Sequence, residues 1–227
     1  MAMRPFLRAA ALLVLLAAAG AVSGCGVTAV PDGALVTHDG DTVEISAEAR
    51  AAGPRFAAGV AAGDRAWILA ALSRARPEAA SLIREVDGLV EIRTDLHDRG
   101  DAIGLTEAGP QGIVVSFDIA RLNGTAALQR DTVVLHEFGH VVDFALVPEA
   151  LGATLDAGIP TGGPCTSPGD ALGACAQPAE RFADTFAKWA LRGAVSAAGA
   201  GYAIAAPASL EDWGAPLAAL AVSRNVR

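Results

Sequence analysis

The spacing of apolar side chains changes several times along this chain, and each change predicts an element. Leu35 to Ser46 alternates around Asp39-Gly40-Asp41, which predicts a β-hairpin. From Ala47 to about Gly63 the spacing is helical but punctuated by Gly53, Pro54 and Gly59. Asp64 is placed to cap a firmer helix with Trp67, Ile68, Ala71 and Leu72 on one face. Pro77, at a first-turn position, opens a short helix that runs to Glu85. The period then drops to two. Leu89-Val90-Glu91-Ile92-Arg93 and Gly112–Phe117 read as strands, and Ala102–Thr106 as a weaker strand suited to a sheet edge. A long helix follows, from Thr125 or Asp131 to Val147, with Pro148 as its stop. Residues 149–178 read as a loop, Pro178 starts a helix that reaches Arg192, and Ser209-Leu210-Glu211-Asp212 resembles a capping box before a last helix. Strands and helices both occur, and the expected fold class is α+β.

The first residues follow another logic. Arg4 and Arg8 precede an eleven-residue apolar run, Ala9 to Ala19, too short for a bilayer core that takes roughly 20 residues. It ends in Val22-Ser23-Gly24-Cys25, which looks like a bacterial lipobox. The expected organisation is a lipoprotein signal peptide at 1–24, a tether at 25–34 and one folded domain at 35–227. Cys25 would carry the lipid, on the extracytoplasmic face of a cell membrane.

Composition narrows the partners. A quarter of the chain is alanine, 52 of 227 residues, and part of that surplus belongs to the export segment. A net charge of −8 leaves no basic footprint for nucleic acid. A monomer is expected. In an exported domain, Cys165 and Cys175 form an even pair in a Gly/Pro-rich stretch, and a disulfide is the favoured reading. Two zinc thiolates would need further Cys or His close by, and the stretch has none.

The chemistry lies in the long helix, at His136-Glu137-Phe138-Gly139-His140. Two histidines four apart project from one helix face and suit a single metal ion. Glu137, next to the first, can reach a water on that metal. Zinc lowers the pKa of such a water to about 7, and a carboxylate can take its proton. Val133, Val134, Leu135, Phe138, Val141 and Val142 surround the motif and predict a buried helix, in which these polar groups need partners. A third ligand is needed. His38 and His97 lie upstream without helical pairing, whereas Glu180 opens a helix with Phe182, Phe186 and Trp189 on its apolar face. Glu180 fits a ligand, or alternatively a carboxylate placed against the helix dipole. Asp184, one turn on, fits a carboxylate that orients a ligand histidine, or a surface salt bridge with Lys188 or Arg181. Asp143 fits the same orienting role, or a solvated position.

These two stretches, His136–Asp143 and Glu180–Ala187, resemble the motifs of the zincin metallopeptidases, and within them the catalytic domain of anthrax toxin lethal factor and its relatives. The resemblance covers about residues 90–190. It implies zinc held by His136, His140 and Glu180, with Glu137 as general base. It also implies a small twisted sheet whose edge strand, Ala102–Thr106, lies over the metal helix and pairs with an extended peptide substrate. The family has a tyrosine shortly before the ligand glutamate; here none lies between His140 and Glu180. The single tyrosine is Tyr202, which with His97 is a candidate for the missing electrophile.

The expectation is a membrane-anchored, zinc-dependent endopeptidase that acts on a peptide or protein. The alternatives are a zinc-binding lipoprotein without proteolysis and a zinc hydrolase of cell-wall peptides. Replacing Cys25 by serine should move the protein from the detergent phase to the aqueous phase on partitioning. Unchanged partitioning would refute the lipid anchor.

Overall fold

A computed structural model of the chain describes residues 34–36, 42–44, 53–98, 102–109, 112–123, 125–161, 173–194 and 203–225. The export segment, Cys25, His38, Cys165 and Tyr202 lie outside the described residues, as does the Asp39-Gly40-Asp41 turn.

Six strands and seven helices are described, in an α+β arrangement. Strands β1 (Ala34–Val36) and β2 (Thr42–Glu44) pair antiparallel as the expected hairpin. The main sheet is mixed, in the order β3 (Arg55–Phe56), β4 (Val90–Arg93), β6 (Gly112–Phe117), β5 (Gly104–Gly109). β3, β4 and β6 run parallel, while β5 returns antiparallel on β6 and forms one edge. The weak strand is therefore an edge strand, shifted two residues along the chain. Its residues are half-buried apart from an exposed Glu107, and it begins and ends in glycine, so its hydrophobic signal is faint.

Helix α1 (Ala62–Ser73) and α2 (Pro77–Val86) bridge β3 to β4, with Pro77 in the first turn of α2. Two expectations fail here. The broken helical pattern after Ala47 yields no helix over 53–61; Arg55 and Phe56 instead pair with β4, and Ala57 N–H bonds the Ile92 carbonyl at 2.9 Å. Gly53 and Gly59 take positive φ (72° and 96°), which a helix cannot use. Nor does Asp64 cap α1, which starts two residues earlier; its carboxylate accepts a bond from the Trp67 indole at 3.2 Å.

After the short α3 (Ile119–Asn123), α4 (Ala127–Leu146) carries the histidine motif. Val134, Leu135, Phe138, Val141 and Val142 are fully buried, and Asp131, Thr132, His136, Glu137 and His140 are buried with them, so α4 runs through the interior. It packs on α1, α2 and β5, and on helix α6 (Pro178–Ala190). Pro148 ends it, but the chain does not become a loop: α5 (Glu149–Ala157) follows. With only Leu151 and Leu155 as large apolar anchors, α5 gives little periodic signal. Among the described residues, no helix is long and apolar enough to cross a membrane.

The last helix, α7 (Leu210–Asn225), starts as expected, with Ser209 Oγ accepting the Asp212 N–H at 3.1 Å. Trp213 joins Phe182, Phe186 and Trp189 in an aromatic cluster with ring centroids 5.7–6.5 Å apart, and its indole N–H bonds the Leu155 carbonyl. Arg76 stacks over Trp189 at 4.9 Å and grips Glu211 through two bonds. Such aromatic pairs contribute about 0.5–1.5 kcal/mol each beyond their buried area. A Cβ on Gly214 would lie less than 3.0 Å from three atoms of the Trp189 indole. Gly214→Ala should therefore destabilise the fold by about 1–3 kcal/mol, read by denaturant unfolding; an unchanged midpoint would show that α7 packs elsewhere.

Candidate metal centre

Three side chains converge where α4 meets the start of α6. One α4 face presents His136 and His140, their rings edge-to-face with centroids 4.9 Å apart. Glu180 Oε2 lies 3.1 Å from His136 Nε2 and 3.3 Å from His140 Nε2. All three potential ligand atoms fall within 4.8 Å of one another, a spacing that one metal ion can bridge. The histidine side chains are 9% exposed and Glu180 is 28% exposed, so the cluster opens toward solvent on the glutamate side.

The local sequence explains the convergence. Pro178 fixes the first turn of α6 and puts Glu180 in it. Gly139, between the histidines, sits against Ala183: a Cβ there would lie 2.9 Å from the Ala183 Cα and 3.1 Å from its carbonyl oxygen. Only a bare Cα lets the two helices approach this closely. On the far side of α6, Arg181 holds the end of α5 through Asp156 (2.6 Å) and the Ile159 carbonyl (2.9 Å).

Electrostatics suit a cation. Burial alone would raise the Glu180 carboxyl, but its bonds to His136 and His140 outweigh this and hold it well below the usual carboxylate range. Burial pushes the His140 imidazole down, yet the bond to Glu180 and the charges of Glu137, Glu180 and Asp143 raise it above its ordinary 6.5. His140 Nδ1 is buried without a hydrogen-bond partner among the described residues.

No protein-family model, no curated protein and no solved structure matches this chain. Geometry alone therefore carries the assignment.

Glu137 stands apart from the trio and faces the sheet. Its Oε2 accepts a bond from the Thr106 hydroxyl at 2.7 Å, and Thr106 lies on edge strand β5. A Cβ on Gly104 would come within 3.0 Å of the Glu137 carboxylate, so this glycine makes room for it. Neither Thr106 nor Gly104 was singled out by sequence reasoning. Their contact with Glu137 spans some thirty residues, and only the packing of β5 on α4 creates it.

The remaining candidates fare differently. Asp184 is fully buried, as is Lys188, which bonds its Oδ2 and the Ile204 carbonyl. The expected surface salt bridge is thus an interior one, reached by the Ile204 carbonyl. Among the described residues Asp184 Oδ1 has no hydrogen-bond partner, and the carboxylate interacts electrostatically with His136. Asp143 is not solvated: burial pushes its carboxyl up to about 6 against the pull of His140. It lines a cavity of about 390 Å³ between α4, α5 and α6. His97 lies in a short turn, Leu96–Asp98, outside the ligand trio. Cys175 ends another turn, Gly173–Cys175, just before α6.

Metal ligation needs neutral imidazole. Because the bond to Glu180 and the nearby carboxylates raise the His140 imidazole, a divalent metal bound here near neutral pH would displace its proton. Glu180, held well below the usual carboxylate range by the two histidines, would release none. Apparent affinity should fall as pH drops from 8 to 6, approaching about tenfold per unit per proton displaced. Calorimetry in buffers of different ionisation enthalpy reads the released proton, and a pH-independent affinity would remove His140 from the ligand set.

Proposed function

We propose that this protein is a zinc-dependent endopeptidase of zincin type, tethered to a membrane through Cys25. The observation that carries the reading is the position of Glu180 Oε2, 3.1 and 3.3 Å from the two histidine nitrogens. Donors about 2.0–2.1 Å from a tetrahedral zinc are about 3.3–3.4 Å apart. The two-nitrogen, one-oxygen set also suits zinc, and three protein ligands leave a position for chemistry. Held by His136, His140 and Glu180, zinc would polarise a carbonyl and lower the pKa of water to about 7.

The chain's own groups do the rest. In the β5–β6 pair, Asp118 N–H bonds the Ile103 carbonyl at 2.9 Å, which sets the odd-numbered residues of β5 as those bonded to β6. The backbone groups of Gly104, Thr106 and Ala108 then point to the free edge, where among the described residues no strand pairs. An extended peptide added there gains main-chain bonds and lies beside Glu137. Glu137 takes a proton from the water that adds to the peptide carbonyl. As the C–N bond breaks, the same carboxylate returns a proton to the departing amine. A Cys165–Cys175 disulfide would close a short loop just ahead of α6 and contribute about 2–3 kcal/mol on chain entropy.

One feature favours a second reading, a zinc-binding lipoprotein without proteolysis: no tyrosine lies between His140 and Glu180. Two variants of a soluble form lacking residues 1–25 decide between them. Glu137→Gln should keep one zinc per chain and lower cleavage of a peptide library roughly 10²–10⁴-fold. His136→Ala should lose the metal. Zinc retained by a wild type that cleaves no peptide supports the binding reading, and full zinc stoichiometry in His136→Ala overturns the site.

A further inference from the structure

We propose that Thr106 is a positioning residue that ties the placement of Glu137 to occupancy of the free edge of β5 by substrate. The inference rests on the endopeptidase reading and adds to it a device for aligning the base. Three observations meet at this residue. Its hydroxyl donates to Glu137 Oε2 at 2.7 Å and lies 3.2 Å from the Glu137 carbonyl oxygen. Its backbone N–H and carbonyl face the free edge, by the register of the β5–β6 ladder. Two residues earlier, Gly104 leaves the only kind of space in which the carboxylate can lie against the strand.

A glutamate side chain has three rotatable bonds and gains nothing from holding one rotamer unless a partner fixes it. Thr106 fixes one oxygen. Oε2 is committed to the hydroxyl, so Oε1 remains to accept a proton. Hydrogen bonds to a charged group are the strong ones, and threonine is stiff at χ1, so the carboxylate is held as firmly as the strand itself. The strand is the variable part. An edge strand is bonded on one side only, and a peptide paired along Gly104, Thr106 and Ala108 bonds it on both. Long substrates that span these residues therefore stiffen the strand and align the base, whereas short ones leave both looser. Binding energy from peptide remote from the scissile bond is thereby expressed in kcat and not only in KM.

The test uses zinc-loaded protein and two peptides with one cleavage site, a long one spanning the edge strand and a short one that cannot. The wild type should show the higher kcat on the long peptide. Thr106→Val, which keeps the shape and removes the hydroxyl, should lose about tenfold in kcat on the long peptide, with KM and zinc content unchanged. Its kcat on the short peptide should fall less, so the long-to-short ratio approaches one. Thr106→Ser should restore the ratio. Gly104→Ala, which displaces the carboxylate by volume, should also lower kcat with zinc retained. An unchanged kcat in Thr106→Val overturns the proposal, and an equal loss on both peptides overturns the coupling to the strand. If the wild type cleaves no peptide, the endopeptidase reading fails separately. Crystal structures of zinc-loaded Thr106→Val and Thr106→Ser then decide: Glu137 swung away from β5 only in the valine variant supports the positioning role, and Glu137 unmoved in both refutes it.

Discussion

The candidate metal centre depends on how closely α6 lies against α4. Ligand geometry tolerates errors of a few tenths of an ångström, and Glu180 comes from a different helix than the histidines. The separation is set where Gly139 meets the backbone of Ala183. Around that contact the aromatic cluster of Phe182, Phe186, Trp189 and Trp213 fills the far side of α6. Arg181 ties the start of the helix to the end of α5. Sheet and helices alike can be understood as a clamp that keeps α6 from rotating or sliding, since either motion would carry Glu180 Oε2 out of reach of both imidazoles.

Much of this was legible in the sequence because it is periodic. The i, i+4 spacing of His136 and His140 needs only helical geometry, and the apolar residues around them announce a buried helix. Glu180 was legible because Pro178 marks where its helix starts. What escaped was whatever depends on partners distant in sequence. A two-residue strand such as Arg55–Phe56 has no period, and it exists because β4 offers an edge. Helix α5 has too few large apolar residues for a face to show. Lys188, read as one half of a surface pair, is interior, and the Ile204 carbonyl reaches it. Thr106 on β5 carried no signal, since a threonine on an edge strand is ordinary until a glutamate is found beneath it.

Unpaired polar atoms gather mainly around the candidate site rather than in the rest of the described fold. Among the described residues, buried side-chain atoms without a hydrogen-bond partner are His140 Nδ1, Arg181 Nη1, Asp184 Oδ1, Thr185 Oγ1 and Arg224 Nε. Four of these five are on α4 or α6, close along the chain to His136, His140 and Glu180. Each such atom costs about 1–3 kcal/mol, which a fold optimised for stability alone would remove. The buried Asp184–Lys188 pair has the same character, because desolvation of both charges offsets most of their attraction. The apolar core of β4, β6, α1 and α2 carries no comparable burden, and it supplies the stability against which these costs are set.

The burial of Lys188 has a practical consequence. It is the only lysine in 227 residues, and its side chain is wholly enclosed. Reagents that acylate lysine amines find no such target on the native fold. A lysine-specific protease has a single site, inside a helix, that opens only when the fold around α6 does. One cut at one place thus serves as a built-in reporter of opening around α6, because the residue whose exposure is scored lies two turns from Glu180.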